Sequence, residues 1–491
     1  MAVAFVAPAT ATLAAPAVAA LHPTGSQGWQ RDASRPANAI GAAAALAVAA
    51  WGAAGGLSKR GSRRHRRAIA LAASNGRRVV VTGLGIVSPF GTEKEAFYDR
   101  LCAGESAVKT ISKFDATGLN TQIAAEITDL DPSKYIDKKS ARRMDDVVKY
   151  TIMAGKQSLE DAGLALDSDA FAALNKEKCG ILIGSAMGGT SLQTSIDNMD
   201  KLLAGKKLSP FFVPYTLVNV PGGLLAIDVG FKGPNYAVVT ACATGNYCIS
   251  AAAGHIASGE CDLALAGGAE AAVTRAGIAG FNACKALSSR NDEPQRASRP
   301  WDKDRDGFVM GEGAGVLCLE ALEHAEARGA TIYAEYLGGA YTCDAHHMTE
   351  PHPKGEGVSR CIRTALTNAG VEASEVGYMN CHGTSTPAGD MAEVRAIQNA
   401  FGSTDKLVVN STKSMLGHCL GAAAGVEAVV VIQALRHQKV HPTINLENRE
   451  DGFDLNAPTE ALELPELSVA ASNSFGFGGH NSCLLFRRFE S

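Results

Sequence analysis

Three residues have the chemical types and the settings for catalysis by a thiol: Cys242, His382 and His418. Cys242 lies in TACATG, between an apolar strand pattern and an alanine-rich helical pattern. A thiol at the start of a helix lies near the positive end of the helix dipole, which favours the reactive thiolate. The alternative is a packing thiol, because free cysteine behaves as a small hydrophobe and this chain has twelve cysteines without a CxxC pair.

The two histidines lie in settings that could present an imidazole to a cavity. His382 lies in NCHGTSTPAGD, a polar stretch in which Pro387 prevents a continuing helix interior. His418 lies in TKSMLGHCLGAAAG, five residues after Lys413 and at the start of a small-residue helical pattern. Each one alone is compatible with an ordinary loop histidine. Together with Cys242 they predict a set of one nucleophile and two imidazoles at strand-to-helix junctions.

Other motifs were weighed against cofactor and metal chemistry. GLGIVSPFG has its third glycine misplaced for a dinucleotide loop and no suitable acidic residue after it, so a structural turn is predicted. DAHHMTEPHP holds three histidines, but their spacing matches no common zinc pattern. NSFGFGGHNS follows an apolar strand pattern and could present backbone N–H groups. We therefore expect no cofactor and no metal.

The elements that position these residues follow from an alternation of strand and helix patterns. RRVVVTGLG, CGILIGSAMGG, YAVVTACATG, LALAGGAEAAV and KLVVNSTKSM read as buried strands between alanine-rich helical stretches. This alternation predicts βαβ units and a parallel sheet covered by helices on both sides. VVTACATGNYCISAAAGHI and VVNSTKSMLGHCLGAAAGV repeat one pattern of strand, polar turn and small-residue helix. Two related α/β halves, joined near residue 330, would explain this repeat.

Charge and composition divide the 491 residues into a leader and a body. Residues 1–76 contain eight basic residues and one acidic residue, with two apolar runs, and predict an organelle-targeting segment. A plastid is the favoured destination, a mitochondrion is the alternative, and a retained membrane anchor is less favoured than a mature form without a stable span. The remaining 38 basic and 49 acidic residues argue against nucleic acid as a partner. The unpaired cysteines favour a reducing compartment.

From about Arg78 onwards the chain resembles the type I and type II 3-oxoacyl-[acyl-carrier-protein] synthases of fatty acid synthesis, and most of all the plastid forms. The resemblance rests on TACATGNYC, SRPWDKDRDGFVMGEGAG, CHGTSTPAGD, STKSMLGHCLGAAAG and SNSFGFGGHNS, which occur in the family's order. It implies an α/β fold of the thiolase-like type, with five layers αβαβα and two pseudo-repeated halves. The implied organisation is a targeting segment at 1–76 and halves at 77–330 and 331–491. A homodimer is also implied.

The resemblance implies a role for each residue that matches a family motif. Cys242 would be the acylated nucleophile, with His382 and His418 as the active-site imidazoles and Lys413 and Glu427 as supporting charged groups. Asp390 and Glu393 fall in the family's polar stretch after the HGTST loop. The implied oxyanion and gating residues are Phe477, whose N–H would join that of Cys242, and Phe475, His347 and Thr349. The implied substrate contacts are Thr384, Thr386, Ser298 and, at the acyl pocket, Met187.

The acyl carrier protein of this pathway is acidic, so the resemblance also implies a basic docking surface. DKKSARRMDD supplies four basic residues on a predicted helix: Lys138, Lys139, Arg142 and Arg143. The alternative is an ordinary solvated helix face. The patch is more noticeable because the body of the protein is acidic.

Several related functions were compared with this prediction. A degradative thiolase would need a second catalytic cysteine near the end, where this chain reads GFGGHNS, and an initiating type III synthase would carry Asn at the position of His418. A non-catalytic partner resembling a chain-length factor lacks the nucleophile, so Cys242 argues against it. A polyketide ketosynthase uses the same Cys-His-His set and stays open. The preferred acyl chain length, and with it type I against type II, also stays open.

Overall fold

The computed structural model describes residues 76–189 and 191–490. The predicted targeting segment, apart from Gly76, lies outside the described residues. The strands are β1 (Val79–Val87), β2 (Lys109–Thr110), β3 (Ile123–Ala124), β4 (Cys179–Gly184), β5 (Leu263–Glu270), β6 (Gly313–Ala321), β7 (Ala334–Cys343), β8 (Val376–Asn380), β9 (Val408–Asn410), β10 (Lys439–Val440), β11 (Leu462–Glu463), β12 (Val469–Gly476) and β13 (His480–Arg488).

The α-helices connect these strands and cover their faces. They are α1 (Lys94–Cys102), α2 (Lys138–Ala141), α3 (Asp146–Asp161), α4 (Asp169–Ala172), α5 (Ser191–Leu203), α6 (Phe212–Thr216), α7 (Val220–Val229), α8 (Thr244–Ala257), α9 (Arg275–Ala283), α10 (Leu322–Ala327), α11 (Glu356–Ala369), α12 (Pro387–Phe401), α13 (Lys413–Leu416) and α14 (Ala423–His437). Short 3-10 turns lie at Lys176–Lys178, Pro294–Arg296, Ala373–Glu375 and Leu420–Ala422.

Nine strands form one sheet in the order β4-β5-β6-β1-β7-β13-β12-β8-β9. The pairs β4/β5, β12/β8 and β8/β9 are parallel, whereas the other neighbours are antiparallel. The sheet is therefore mixed, and the prediction of a parallel sheet is wrong for its central strands. The strand β12 returns directly through a short turn into β13, and such a hairpin is necessarily antiparallel.

The two halves of the sheet repeat one topology, as the repeated sequence pattern predicted. From the centre outwards, β1-β6-β5-β4 has the same order and the same strand directions as β7-β13-β12-β8. The strand β9 continues the second half beyond β8. At the corresponding edge of the first half, Asn235 forms a single parallel bridge with Ile181, so YAVVTACATG is not a regular strand.

Helices fill three layers around the two half-sheets. The helices α3 and α7 cover the first half, and α11 and α12 cover the second. The helices α8 and α14 lie between the halves, because α8 contacts β5 and β13 while α14 contacts β6 and β12. This arrangement is the thiolase-like αβαβα fold, and the predicted fold class is confirmed.

Small residues let the layers approach closely. A Cβ placed on Gly245 of α8 would lie 2.4 Å from the backbone nitrogen of Gly425 in α14. A Cβ on Gly83 or Gly85 would lie 2.0 or 1.8 Å from a backbone oxygen of α3. GLGIV therefore belongs to β1 rather than to a turn, and the chain turns only at Ser88–Gly91.

One segment of the described chain, Leu420–His437, is long and apolar enough to cross a membrane by length and composition. In this fold 89% of that segment is buried inside the protein. It forms the central helix layer, where both faces of a helix contact a sheet and an all-round apolar surface is needed.

Candidate active site

Each residue of the predicted catalytic set lies beside a left-handed backbone position. Ala241 has φ +50° and precedes Cys242, whereas Gly417 has φ +63° and precedes His418. Gly383, with φ +27°, follows His382. An alanine in this conformation costs about 1–3 kcal/mol, which the surrounding structure must offset. These sharp turns direct all three side chains into one cavity.

The structure brings the thiol and the two imidazoles together. Cys242 Sγ lies 2.9 Å from His418 Nε2. The rings of His382 and His418 are perpendicular, with centroids 5.3 Å apart. One ligand atom from each of the three residues lies within 4.8 Å of the others. A proton can therefore pass from the thiol to His418, and a small reacting group can contact both imidazoles.

Burial keeps both imidazoles neutral. It lowers the pKa of His418 well below the ordinary value, and the nearby Lys413 ammonium lowers the pKa further. The pKa of His382 is also lowered well below its ordinary value, by burial first and then by Lys413 and His418. A neutral imidazole can accept a proton at one nitrogen or donate a hydrogen bond to an oxyanion.

The thiol of Cys242 does not behave as the sequence predicts. Burial raises its pKa to about 12, and the opposing effect of Lys413 is smaller. The helix α8 begins only at Thr244, two residues later, and the helix dipole weakens within the first turn. The effect expected from the helix start is therefore opposed by loss of solvation, which disfavours the thiolate. Cys242 needs a base, and His418 is within reach.

Two buried carboxylates support the imidazoles from behind. Glu427 Oε1 lies 2.5 Å from Lys413 Nζ, and burial raises the pKa of Glu427 to about 7 although Lys413 lowers it. Glu393 accepts hydrogen bonds from the backbone N–H groups of His382 and Gly383, both at 2.8 Å. Burial also raises the pKa of Glu393 to about 7. Glu393 thus fixes the backbone of His382, while Glu427 fixes the ammonium that faces both rings.

These side chains open into a cavity of about 610 Å³. Phe308 and Phe475 pack edge-on against His418 and His382, each at a centroid distance of 5.2 Å. Thr384 and Thr386 lie in the wall with their hydroxyls 3.0 Å apart. The predicted site residues that line this cavity are Met187, Cys242, Thr349, Thr384, Thr386, His382, His418, Phe475 and Phe477.

The two predicted gating segments contact each other. Gly478, in the turn after β12, donates its N–H to Met348 O at 2.7 Å. Asp344 donates its N–H to Gly479 O at 2.9 Å. Movement of either segment would therefore move the other at the mouth of the cavity.

Two of the predicted gating and substrate-contact residues lie away from the cavity wall. Ser298 is buried and donates its hydroxyl to Lys413 O at 2.6 Å, so the structure does not place it against a substrate. His347 Nδ1 accepts the N–H groups of Thr349 and Glu350, both at 3.2 Å, and thereby shapes its own loop. The loop presents Thr349 to the cavity instead.

The predicted docking residues form an exposed basic surface that is not part of the cavity wall. The helix α2 is a single turn, capped by the side chain of Asp137, rather than a longer helix. None of the four basic side chains forms an ion pair within residues 76–189 or 191–490. We call this the basic patch, defined by Lys138, Lys139, Arg142 and Arg143.

The sequence reasoning missed Glu270, the last residue of β5, and Phe308. Glu270 is buried beside the cavity wall and accepts the N–H groups of Met187 and Gly421. A carboxylate that ends the otherwise apolar run LALAGGAE was a usable signal. Phe308 lies in SRPWDKDRDGFVMGEGAG, one of the motifs that carry the family resemblance, but its contact with His418 depends on the tertiary structure.

In the described part of the chain, Cys242, His382 and His418 are the group whose ligand atoms could hold a metal ion. Zinc binding by this set would require the Cys242 thiolate.

Comparisons with known proteins agree with this geometry. Residues 76–325 match the model of the beta-ketoacyl synthase N-terminal domain, and residues 333–447 match that of the C-terminal domain. Chloroplastic 3-oxoacyl-[acyl-carrier-protein] synthase I of Hordeum vulgare is 53% identical over 84% of this chain and 90% of its own length. Synthase II of Arabidopsis thaliana, also chloroplastic, is 50% identical over 84% of this chain and 76% of its own length.

A solved structure shows the same fold. It is a type II polyketide ketosynthase bound to a hexaketide and in complex with its acyl carrier protein. The match has a TM-score of 0.77 and 30% sequence identity, and covers 85% of this chain and all of that one.

The fold and the Cys-His-His site define an enzyme that makes carbon–carbon bonds from thioesters through an acylated thiol. The chain belongs to the beta-ketoacyl synthase family. It is a condensing enzyme of the kind used in type II fatty acid synthesis, and the predicted family and activity are confirmed.

Proposed function

We propose that the enzyme joins an acyl group, carried on Cys242, to malonyl-[acyl-carrier-protein], with loss of CO₂ and formation of 3-oxoacyl-[acyl-carrier-protein]. The observation that carries this proposal is the 2.9 Å distance between Cys242 Sγ and His418 Nε2, beside a second neutral imidazole. The names of the relatives support the carrier protein as substrate.

In the first step the acyl group moves from its carrier to the enzyme. His418 Nε2 accepts the thiol proton as Cys242 Sγ attacks the thioester carbonyl. The bond from the carbonyl carbon to the carrier sulfur breaks, and the carrier thiolate receives the proton. The enzyme then holds an acyl thioester at Cys242, and His418 is neutral again.

In the second step malonyl carrier enters the cavity and loses CO₂. The electron pair of the broken carbon–carbon bond forms an enolate at the thioester oxygen. His382 donates a hydrogen bond to this oxygen through Nε2–H. His418, whose Nε2 gave its proton to the carrier in the first step, donates one in its other neutral tautomer, with the ring proton on Nε2 instead of Nδ1. The enolate carbon attacks the acyl carbonyl, the bond to Cys242 sulfur breaks, and the resulting thiolate takes up one proton from solvent, the proton that the overall reaction consumes. Both carbonyl groups of the product thus originate from thioesters.

An oxyanion hole from the backbone N–H groups of Cys242 and Phe477 fits this chemistry. A Cβ on Gly476 would lie 3.2 Å from Cys242 N, so the two turns are adjacent. Ser474 Oγ donates to Cys242 O at 2.9 Å and joins the same turns. A single oxyanion donor contributes about 3–4 kcal/mol to transition-state stabilisation in comparable enzymes.

Cys242→Ala tests the central role. We expect acyl transfer and malonyl-dependent condensation to disappear, measured as acylation of the intact protein and as 3-oxoacyl product. The matched control is Cys284→Ala, which removes another thiol in the cavity wall that has no hydrogen bond to either imidazole among the described contacts. Unchanged condensation by Cys242→Ala would refute the assignment.

The basic patch is proposed to dock the acyl carrier protein. Its four side chains are exposed and carry no ion pair among the described residues, so they are available to an acidic partner. We expect Arg142→Ala to raise KM for the carrier several-fold and to weaken the salt dependence of kcat/KM. Lys406→Ala, an exposed cation elsewhere, serves as the control. Equal effects of the two substitutions would contradict docking at the patch.

A homodimer is proposed from an exposed apolar surface on the first half. Its large exposed side chains include Ile196, Met199, Leu202, Leu203, Phe211, Val213, Leu217, Ile227, Tyr236 and Val239. Such a concentration of exposed apolar side chains marks an interaction site in most proteins. Val239 also lies in the cavity wall, so a second copy would complete the environment of the acyl chain.

We propose a plastid location, because the chloroplastic relatives support it and the leader is basic and almost free of acidic residues. The mitochondrion is the alternative. A fusion of residues 1–76 to a fluorescent protein would distinguish the two organelles by microscopy. Accumulation in mitochondria would overturn the proposal.

The preferred acyl chain length, which distinguishes type I from type II activity, is the last property to assign. The chain is similarly related to a type I and to a type II synthase, at 53% and 50% identity, so these values do not separate the two activities. The 30% identity with the polyketide ketosynthase disfavours that pathway by comparison. A product profile with acyl-carrier primers of graded length would show the preference, and poly-3-oxo products made from malonyl carrier alone would favour the polyketide reading.

A further inference from the structure

Glu270, the last residue of β5, is fully buried and accepts four hydrogen bonds beside the cavity. Its Oε1 accepts from Ser185 Oγ at 2.9 Å and from the N–H of Met187 at 3.1 Å. Its Oε2 accepts from the N–H groups of Ala186 and Gly421, each at 2.9 Å. The reaction steps above make no use of this carboxylate.

The four donors belong to two different walls of the cavity. Ala186 and Met187 follow β4 and line one wall, whereas Leu420 lines another, two residues after His418. Leu420 has a left-handed φ of +48°, and the next residue, Gly421, is the one that donates to Glu270. A Cβ on Gly421 would lie 2.4 Å from the backbone nitrogen of Ala186. Glu270 therefore joins two walls that are already in close contact.

The charge of Glu270 matters because all four donors are neutral. When Glu270 is ionised, its two oxygens can accept hydrogen bonds from all four donors. A protonated carboxyl group carries an O–H and must leave at least one of these donors with a weaker acceptor. Burial raises the pKa of Glu270 to about 7, while the donors lower it. The same carboxylate thus both joins the walls and changes its hydrogen-bonding capacity near neutral pH.

We propose that Glu270 is a positioning residue that sets the acyl-chain preference by holding the Met187 wall against the Leu420 wall. The inference rests on the condensing function proposed above. Both wall residues belong to one apolar cluster with Cys242, Phe281 and Phe308. An acyl chain on Cys242 that extends along this cluster would contact both walls, and a longer chain would contact more of their surface than a short primer. Loosened walls would therefore penalise long primers more than short ones.

The preference for a long primer over a short primer distinguishes the effect of Glu270 from the effects of Glu393 and Glu427. Burial raises the pKa of Glu393 and of Glu427 to about 7 as well, so a pH profile of rate alone mixes all three. Those two act on the imidazoles, which process every primer. Among the described residues, the thiols of Cys242 and Cys419 interact electrostatically with Glu270, and burial raises the pKa of both from an ordinary value that is already above neutrality. A change near pH 7 in the preference for long over short primers therefore reports Glu270.

The test compares Glu270→Gln with Glu126→Gln in the full chain. Glu126 is a matched control, because it is also buried and accepts from Ser112 N–H at 2.8 Å, Ser112 Oγ at 2.5 Å and Lys113 N–H at 3.1 Å, but does not line the cavity. For Glu270→Gln we expect the ratio of kcat/KM for a long primer to that for a short primer to fall roughly tenfold, the scale of one poorly fitted methylene. For Glu126→Gln the ratio should not change.

The pH dependence supplies a second readout. In the wild type we expect the long-to-short ratio to fall as the pH decreases from 8 to 6, because Glu270 becomes protonated, and in Glu270→Gln we expect a flat ratio. Should Glu270→Gln not fold, Ser185→Ala removes one donor with a smaller disturbance and should shift the ratio in the same direction. An unchanged ratio in a folded Glu270→Gln or Ser185→Ala protein, or an equal shift in Glu126→Gln, would overturn the inference. Failure of the wild type to condense any primer would instead refute the proposed function.

Discussion

The two halves of the molecule share one strand order but differ at their outer edges. In the second half the chain itself covers the edge strand β9, since Val409 donates its N–H to Asn456 O at 2.9 Å. In the first half the corresponding segment makes one bridge, between Asn235 and Ile181, and leaves Tyr236 and Val239 exposed. An open edge with apolar side chains is a template for pairing with another chain. The repeat therefore ends in a covered edge in one half and in an open edge in the other.

The junctions that hold Cys242 and His418 also differ in how exposed they are. His418 begins a segment whose helix, α14, is buried on every side from Ala423 to Leu435. Cys242 precedes α8, which has partly exposed residues, and Cys242 itself is half-buried at the cavity. The proposed nucleophile thus lies on the more accessible half, where acyl groups would arrive. The proposed base lies on the enclosed half, where burial keeps its imidazole neutral.

The largest effect should come from substituting the two imidazoles one at a time, which distinguishes their roles. Both donate to the enolate in the proposed mechanism, but only His418 contacts the thiol. We expect His418→Ala to lower acyl transfer and malonyl decarboxylation, whereas His382→Ala should lower decarboxylation alone, each by about 10²–10³-fold. Acylation of the intact protein and release of CO₂ measure the two steps. Equal loss of acyl transfer in both variants would contradict this division.

A second test concerns the contact between the central helices. A Cβ on Gly245 would lie 2.4 Å from Gly425 N, where neither backbone can yield easily, so Gly245→Ala should cost about 2–3 kcal/mol of unfolding free energy. Gly254 lies in the same helix with no atom within 4 Å of an added Cβ. Gly254→Ala should therefore raise stability by up to about 1 kcal/mol. Denaturant titration measures both, and similar changes for the two variants would disprove tight packing of α8 on α14.

If the open edge of the first half is the dimer interface, a charge placed there should weaken self-association. Val239→Asp would place a carboxylate from each copy in an apolar contact, so we expect roughly 100-fold weaker dimerisation. The control is Leu166→Asp, at another exposed apolar position of the same half. Sedimentation at several concentrations gives the dissociation constants. A wild type that is monomeric at every concentration would sink the dimer itself, whereas an unaffected Val239→Asp dimer would move the interface elsewhere.

The smallest effect compares the buried carboxylates of the two halves as pH changes. Burial raises the pKa of Glu270 and of Glu427 to about 7, above the value near 4.3 expected in the unfolded chain. The native state therefore binds these protons more tightly, and each group makes unfolding easier as pH rises from about 4.3 to 7, by on the order of 1–3 kcal/mol.

Substituting Glu270 in the first half and Glu427 in the second should change the pH dependence of stability in different ways. Glu270→Gln should flatten the fall of Tm between pH 5 and 7.5, because it removes the group that titrates. Its four partners are neutral donors, so no cation loses a partner. Glu427→Gln should lower Tm mainly above about pH 7, where the wild-type carboxylate is ionised and its loss leaves the Lys413 ammonium buried without a partner. Parallel Tm curves for the wild type and Glu270→Gln would show that Glu270 does not titrate in this range.

Much of the architecture and the chemistry could be predicted before the structure. The repeated pattern around Cys242 and His418 correctly indicated two similar halves, because strand and helix periodicities are local properties of the chain. Resemblance to a family supplied Lys413 and Glu427, which form the buried ion pair. Neighbouring residues in sequence were also sufficient to recognise the exposed basic patch.

Other features depended on contacts between distant parts of the chain. The antiparallel pairing of β1 with both β6 and β7 has no signature within the strand itself. Ser298 matches a family motif but faces Lys413 O instead of the cavity. Glu270 gained its role only because Met187 and Gly421, far apart in sequence, meet at its two oxygens.

By itself the sequence determined which residues could react: one thiol and two imidazoles at small-residue turns, in a chain of two related halves. Only the tertiary structure decided their distances and their protonation. Cys242 and His418 are 176 residues apart, and their contact at 2.9 Å exists because α8 and α14 pack between the half-sheets. Packing also removes water, and a local sequence pattern carries no measure of that loss. Burial raises the pKa of the Cys242 thiol to about 12, in the direction opposite to the one expected from the nearby helix start.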